Sequence, residues 1–449
     1  MKLIRLVLSD LHLVDGTRPG KVNPFEDFFH DDRFSELLAH YQPEPGEERE
    51  VELILNGDIF DLLKVRIGGK WPTEVTEEIA VEKLRACLDG HPVFVRALRD
   101  FMANPGCEIT FIPGNHDLEF FFPEVQALFR RYVAPGEAGE RVRFITGSDT
   151  YYLPEGIQVR HGHQFERIHR VDPQDMFETR GERKLLKLPW GSLWILEVLM
   201  PLKEQRSHID RVQPLNRFLW ASVFLDPMFI VRFFWHSSFY FLRYRIFRLQ
   251  AWWDRIKAIP KLISEELLTL TAGYDENAIA ALNKMRGAHT LIVGHSHGPR
   301  FLQLPNGKTL VNTGTWVKMV NLDLKHLGQD SGLTYALIDF DDALVEQLRL
   351  DDFLGENVGA RLIADLQRVA EPPGGDQKRA VALARQQRVG GNGGAHLHRG
   401  DLLGRDALVG GDAHEIANAL DGRVAIGFGV LGEHLVGLDL AFGGARHDV

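Results

Sequence analysis

The sequence predicts an α/β protein, and three observations carry that reading. Short apolar runs closed by glycine and polar residues recur along the first 300 positions. Helical stretches separate them, the alternation expected where ligands are presented at strand ends. The composition, 44% hydrophobic and 25% charged over 449 residues, is that of a folded globular chain, which excludes wholesale disorder, a fibre or a disulfide scaffold. At roughly 150 residues per domain the length suggests two or three units. With 52 Lys+Arg against 62 Asp+Glu the balance is acidic, so no nucleic-acid partner is expected.

Taken in order, Lys2–Leu8 is the first strand, and it runs straight into Ser9-Asp10-Leu11-His12. A secretory leader would need a longer apolar stretch and a small-residue cleavage site. The two cysteines, Cys87 and Cys107, are too few to staple the fold, and together these features point to a reducing, cytoplasmic setting. No charge-free apolar run is long enough for an ordinary membrane span. Val51–Leu55 leads into Asn56-Gly57-Asp58-Ile59-Phe60-Asp61. Helices are expected over Glu74–Leu88 and Val93–Met102. Glu108–Ile112 then leads into Pro113-Gly114-Asn115-His116-Asp117, Ile157–Arg160 into His161-Gly162-His163, and Thr290–Val293 into Gly294-His295-Ser296-His297. Arg300–Leu304 and Thr309–Asn312 flank Pro305-Asn306-Gly307, a hairpin signal. Leu333–Phe340 and Leu344–Leu350 read as a further pair, so the globular unit is expected to close near residue 350.

A single histidine at a strand end is ordinarily a structural hydrogen-bonding group. Five polar clusters in a fixed order, each ending a strand, are harder to dismiss, and their chemistry fits two metal ions. Asp10 and His12 are two apart, so on an extended strand end they point the same way and grip one ion. Asp58 can bridge two ions, Asn115 offers a carbonyl oxygen, His161 and His295 serve the second ion, and His297 returns to the first. This nitrogen and oxygen set, without thiolate, suits Mn²⁺ first, then Fe or Zn²⁺, over Ca²⁺. Two ions ~3.5–4 Å apart can clamp a phosphoryl group and lower the pKa of water. His116 is placed to protonate a leaving oxygen, and Asp61 to hold its tautomer. Gly57, Gly114 and Gly294 allow sharp turns where a ligand must face inward.

These motifs, Asp10-x-His12, Gly57-Asp58-x-x-Asp61, Gly114-Asn115-His116-Asp117, His161-Gly162-His163 and Gly294-His295-x-His297, resemble the five motifs of the calcineurin-like metallophosphoesterases. Asn312-Thr313-Gly314-Thr315-Trp316 is similar to a segment that often follows them. The resemblance implies a two-sheet β-sandwich flanked by helices, and in-line attack by metal-bound hydroxide on a phosphoester or pyrophosphate. It assigns Asp10, His12, Asp58 and His297 to one ion, and Asp58, Asn115, His161 and His295 to the other. It covers residues 1–165 and 285–350, leaving 166–284 as a helical cap insertion and 351–449 as a C-terminal extension. Within the family, Ser9-Asp10-Leu11-His12-Leu13 and the long insertion resemble the UDP-2,3-diacylglucosamine pyrophosphatases of lipid A synthesis, which are peripheral membrane proteins. Gly-Asn-His-Asp in place of their usual Gly-Asn-Arg-Asp, and the greater length of the insertion, depart from that group.

Two regions have their own bias. Phe218–Trp253 holds 14 aromatic residues in 36 positions, against 10% overall, and Arg232–Lys261 has seven Lys/Arg and one acidic residue. Phe239, Leu242, Ile246, Leu249, Trp253 and Ile256 form a helical apolar stripe, with Tyr244, Arg248, Trp252 and Arg255 opposite. Residues 218–261 therefore read either as a cap packed on the core or as a basic interfacial helix that also touches a membrane from the cytoplasmic side. Arg248 and Arg255 are candidate ligands for a non-reacting phosphate or carboxylate. The expected substrate is a phosphorylated small molecule or lipid. The tail from 371 has 17 Gly in 79 residues and neither Trp nor Tyr, and is expected to be flexible.

Overall fold

The computed structural model describes residues 2–17, 23–44, 46–204, 206–213, 215–243, 274–321, 328–330 and 333–340, and in the tail 365–369, 381–383 and 425–431. The first three strands are apolar on both faces, so each must be covered from two sides. In β1 (Lys2–Leu8), Leu6 and Leu8 face one core and Val7 another. In β2 (Arg49–Asn56), Leu53 and Leu55 face the first core and Ile54 the second. In β3 (Cys107–Ile112), Ile109 and Phe111 part in the same way from Ile112. The three run parallel, with Leu6 opposite Leu53 and Leu53 opposite Ile109.

The first core lies under the helices α1 (Asp31–Tyr41), α2 (Glu77–Gly90), α3 (Pro92–Ala103) and α4 (Pro123–Val133), through Phe34, Leu84, Phe94, Phe101 and Phe129. Thr76 accepts the Ile79 amide and so starts α2 at Glu77 rather than at Glu74; prolines open α3 and α4. β4 (Val142–Phe144) pairs with β3 at one edge of the sheet.

The second sheet begins with the hairpin β5 (Tyr151–Leu153) and β6 (Ile157–Val159). The insertion, expected to be helical in character, also contains strands. It opens on the hairpin β7 (Phe177–Arg180) and β8 (Arg183–Leu186), which turns at Gly181 with φ +64°. Its charged residues give no apolar period by which to recognise strands. Helices follow as α5 (Trp190–Trp194), a π-turn over Ile195–Leu199, and α6 (Met200–Lys203). After the short β9 (Val212–Gln213) come α7 (Leu215–Leu225), α8 (Pro227–Phe241) and α9 (Tyr274–Lys284).

The chain returns to the second sheet with β10 (Thr290–Val293), β11 (Arg300–Gln303) and β12 (Thr309–Asn312), in the order β11-β12-β10-β6-β5. The Asn-Gly hairpin forms as expected, with Leu302 opposite Leu310. Short β13 (Met319–Asn321) and β14 (Gly328–Asp330) pair with each other and, through β13, with β9. β15 (Leu333–Phe340) lies antiparallel to β1. Beyond β15 the first sheet continues through three tail strands, β16 (Asp365–Val369), β17 (Val381–Leu383) and β18 (Ala425–Leu431), of which β18 pairs with β15. The expected strand Leu344–Leu350 lies outside the described residues.

Between the sheets, Val7, Ile54 and Ile112 meet Ile157, Val159, Ile292 and Val311. On the far side of the second sheet, Leu291, Val293 and Leu310 pack on Ala278 and Leu282 of α9. This is the expected two-sheet sandwich flanked by helices. The residues that follow β1, β2 and β3 of one sheet and β6 and β10 of the other meet at one edge of it.

Candidate metal centre

Among the described residues only five non-glycine residues have positive φ, and all five come from the polar clusters: Asp10 (56°), His12 (55°), Asp58 (52°), His295 (68°) and His297 (59°). Left-handed backbone at an ordinary L-residue costs free energy and persists where surrounding structure enforces it, commonly at functional sites. The enforcement is visible. The amides of Asp10 and His12 donate to the carbonyls of Gly57 and Asp58, at 3.1 and 2.9 Å, and the Gly294 amide donates to the His161 carbonyl at 2.7 Å. Asp10 and His12 therefore converge through two left-handed residues, not by the alternation of an extended strand end.

Candidate ligands come together in four overlapping groups of three among the described residues, two of them made wholly of the expected ligands and the others including His116 with His12 and Asp58, and Glu166 and His169 with His295. Asp10, His12 and His297 form the first: His297 Nε2 is 3.4 Å from Asp10 Oδ1, and His12 Nε2 is 3.0 Å from His297 Nε2. Asp58, His161 and His295 form the second, with His161 Nε2 3.1 Å from Asp58 Oδ2. Asp58 stands between them, its Oδ2 also 3.9 Å from His12 Nε2. The buried Asn115 amide has no hydrogen-bond partner at either atom among the described residues, and His161 Nε2 faces Asp58 Oδ2 without hydrogen-bond geometry. Polar atoms buried in this way ordinarily find a partner, and an ion would supply it. The glycines leave room for this packing: a Cβ at Gly57 would meet the His161 ring, one at Gly114 the Asp58 carboxylate, and one at Gly294 the Asp10 carboxylate, each within 2.5 Å. Seven nitrogen- and oxygen-bearing side chains, crowded and incompletely partnered, fit a pair of divalent cations.

The supporting residues fix which imidazole nitrogen faces inward. His161 Nδ1 lies 2.8 Å from the Asn56 carbonyl and His12 Nδ1 3.1 Å from Asp61, which leaves Nε2 of each for an ion. Asp61 uses its other oxygen on His116 Nδ1, at 2.9 Å. Burial alone would lower the His116 pKa, but Asp61 and Asp58 raise it to about 9, which favours the protonated imidazole. The Asn312–Trp316 segment buttresses Asp10: Ser9 Oγ donates to the Asp10 carboxylate and sits 2.6 Å from Thr313 Oγ1, while Thr315 Oγ1 donates to the Asp10 carbonyl at 2.7 Å.

Three residues escaped the sequence reading. Glu166 Oε2 lies 3.1 Å from His295 Nε2, the carboxylate–histidine pairing that orients a metal ligand, and His169 stands beside both. The fourth residue of the third motif, Asp117, accepts the amides of Ile59 and Gly114, at 2.9 and 2.6 Å, and so joins the second and third clusters. Burial and the neighbouring Asp58 push its carboxyl up to about 7. An acidic residue two beyond a proposed ligand was the available signal for Asp117; Glu166 lies 129 positions from its partner and left none. Arg248 and Arg255 lie outside the described residues.

Fold and site together define a metal-dependent phosphoester hydrolase, in which ligands at strand ends of two facing sheets surround a pair of ion positions. The chain belongs to the calcineurin-like phosphoesterase family, whose model matches residues 5–299. Among solved structures it is similar to a dimetal phosphatase from Danio rerio, with 11% identity over 75% of this chain and 92% of that one, at a TM-score of 0.30. It is also similar to a putative 5'-nucleotidase from Staphylococcus aureus, with 12% identity over 76% and 52% of the two chains, at a TM-score of 0.28. No curated protein matches.

Proposed function

We propose that the chain hydrolyses a phosphoester or pyrophosphate bond of a lipid-linked or nucleotide-lipid substrate, working at the cytoplasmic face of a membrane with Mn²⁺ as its metal. The observation that carries the lipid part of this reading is the surface of α7 and α8. One side of α8, with Phe229, Ile230, Phe233 and Tyr240, packs on Val198, Leu202 and Ile209. Large apolar side chains of α7 and α8 also face out, between polar residues such as Arg232, His236 and Ser238: Trp220, Phe224, Leu225 and Trp235 are 70–85% exposed, and Met228, Val231, Phe234 and Phe239 are exposed too. Apolar exposure of this kind marks an interaction surface, and aromatic rings with the nearby arginines suit the lipid–water boundary. No helix among the described residues is long and apolar enough to cross a membrane.

α8 is linked to the metal centre only indirectly, through α5. Tyr240 Oη donates to the Trp190 carbonyl at 2.9 Å, and two residues on, Ser192 Oγ donates to the Asn115 carbonyl at 3.4 Å. A substrate with its lipid part at α7–α8 would present its phosphates towards the ion pair. In this reading Asp10, His12, Asp58 and His297 hold one ion and Asp58, Asn115, His161 and His295 the other. The ions, when bound, supply Lewis acidity and an activated water. His116 gives a proton to the leaving oxygen from Nε2, and Asp61 holds its Nδ1.

Turnover of an aryl phosphodiester and of a UDP-lipid in Mn²⁺, with and without anionic liposomes, tests this. Asp58→Ala and His295→Ala should each lose about 10³-fold or more on both substrates. Replacing Trp220, Phe224 and Trp235 by Ser should lower liposome binding and UDP-lipid turnover about tenfold or more and spare the soluble ester. Undiminished turnover in Asp58→Ala would sink the site, and unchanged liposome binding in the serine variant would leave a soluble phosphorylated substrate as the better reading.

A further inference from the structure

Behind the metal centre a second polar cluster is buried, and it joins the insertion to the core. Lys64 Nζ lies 3.0 Å from Asp61 Oδ2, 2.6 Å from Asp27 Oδ2 and 2.8 Å from Asp210 Oδ2. Lys203 Nζ donates to Asp27 Oδ2 at 2.5 Å and to both oxygens of Asp210, at 2.7 and 2.6 Å. Arg211 Nε is 3.3 Å from Asp27 Oδ1. Lys64, Asp27 and Asp61 belong to the core, whereas Lys203, Asp210 and Arg211 belong to the insertion. Three cations face three anions, and Lys203 is fully buried.

A buried ion cluster is a poor way to gain stability, since apolar residues of the same volume commonly do as well, whereas its geometry is exacting. What this one fixes is Asp61. That carboxylate holds both His12 and His116, and Lys64 is the third group on it. Lys64 in turn is held from outside the core by Asp210, which Lys203 clamps through both carboxylate oxygens. We propose that Lys203 and Asp210 are positioning residues for the reaction: seated in the core by this cluster, the insertion sets Lys64 and thereby the orientation in which Asp61 presents His116 to the leaving group. The inference rests on the reading of His116 as proton donor and extends it to residues that touch neither substrate nor ion.

The paired variant Lys203→Met/Asp210→Asn removes one charge of each sign and leaves the rest of the cluster balanced. In the Mn²⁺-loaded enzyme it should slow hydrolysis of a methyl phenyl phosphodiester at least about tenfold, because a poor leaving group needs the proton. Its p-nitrophenyl counterpart should slow less than about threefold. In the metal-free protein the Nδ1–H signal of His116, sharp in NMR while Asp61 accepts that proton, should broaden or vanish. Asp210→Glu keeps every charge and moves the carboxylate by one methylene, so it serves as the second variant if the pair does not fold, with the same split between the esters. Equal losses on the two esters, or an unchanged His116 signal, would overturn the proposal. His116→Ala, assayed in parallel, separates the two readings: if it too slows both esters equally, the proton-donor role fails first.

Discussion

Two kinds of buried polar cluster lie close together, one at the edge where the two sheets meet and one under the helices of the first sheet, and they are built on opposite terms. At the metal centre the backbone is left-handed at five ligands, two imidazole nitrogens face each other at 3.0 Å, and the Asn115 amide has no partner among the described residues. Behind it, Lys83 donates to Glu119 at 2.8 Å, and His91 lies 3.1 Å from Glu26 and 3.0 Å from Asp31. There the backbone is ordinary and each cation has its anion. The difference separates crowded ligand positions on left-handed backbone from cation–anion pairs on ordinary backbone, although Glu119 Oε2 too has no hydrogen-bond partner among the described residues. The first carries the strain of its left-handed backbone, and the second holds elements in place.

The largest effect on stability should come from opening a closed pair. Lys83 on α2 and Glu119 just after Asp117 are both fully buried. Lys83→Met leaves Glu119 charged and alone, at a cost of about 3–5 kcal/mol in urea unfolding, whereas Lys83→Met/Glu119→Leu should recover most of that loss. If the single variant is as stable as the parent, the two kinds of cluster do not differ in the way argued.

The His91 cluster sharpens the comparison through pH. Burial alone would lower the His91 pKa, but its hydrogen bonds to Asp31 and Glu26 raise it to about 9 from an ordinary 6.5. Because the folded value is the higher one, the stabilisation is fully present below about pH 6.5 and is lost as pH rises through about 9. Unfolding midpoints of the parent and His91→Gln should therefore differ most near pH 6, by on the order of 2 kcal/mol, and converge above pH 9. A gap that does not narrow with pH would mean that His91 contributes packing alone.

Much of this architecture was legible because its strands are buried on two faces. β1, β2, β3, β6 and β10 are mostly apolar short runs, broken by single polar residues such as Arg5, Glu52 and Thr110, and the turn residues after them carry the seven candidate ligands. What could not be read depended on the third dimension. β7 and β8 are largely exposed and charged, so no period marks them. Glu166 is one carboxylate among many until the fold sets it against His295. The Lys64–Asp210 contact joins positions 146 apart on two separate parts of the chain. Even the expected grouping of Asp10 with His12 rested on an extended strand end, where the backbone is left-handed.

The smallest effect is the most diagnostic, because its sign should reverse. His297 has φ +59°, lies 3.0 Å from His12 and is the most exposed of the three residues in the first group. In the metal-free protein, His297→Gly removes a left-handed L-residue and a crowded imidazole pair. The relief of about 1–2 kcal/mol expected for the backbone is offset by the greater freedom of glycine in the unfolded chain, about 0.4–1 kcal/mol. The variant should thus be as stable as the parent, or up to about 1.6 kcal/mol more stable, while losing first-site Mn²⁺ affinity. Calorimetry with and without Mn²⁺ reads both quantities in one series. A loss of stability in the metal-free state would show that the centre, like the closed clusters behind it, is held together by its own side chains and was never strained.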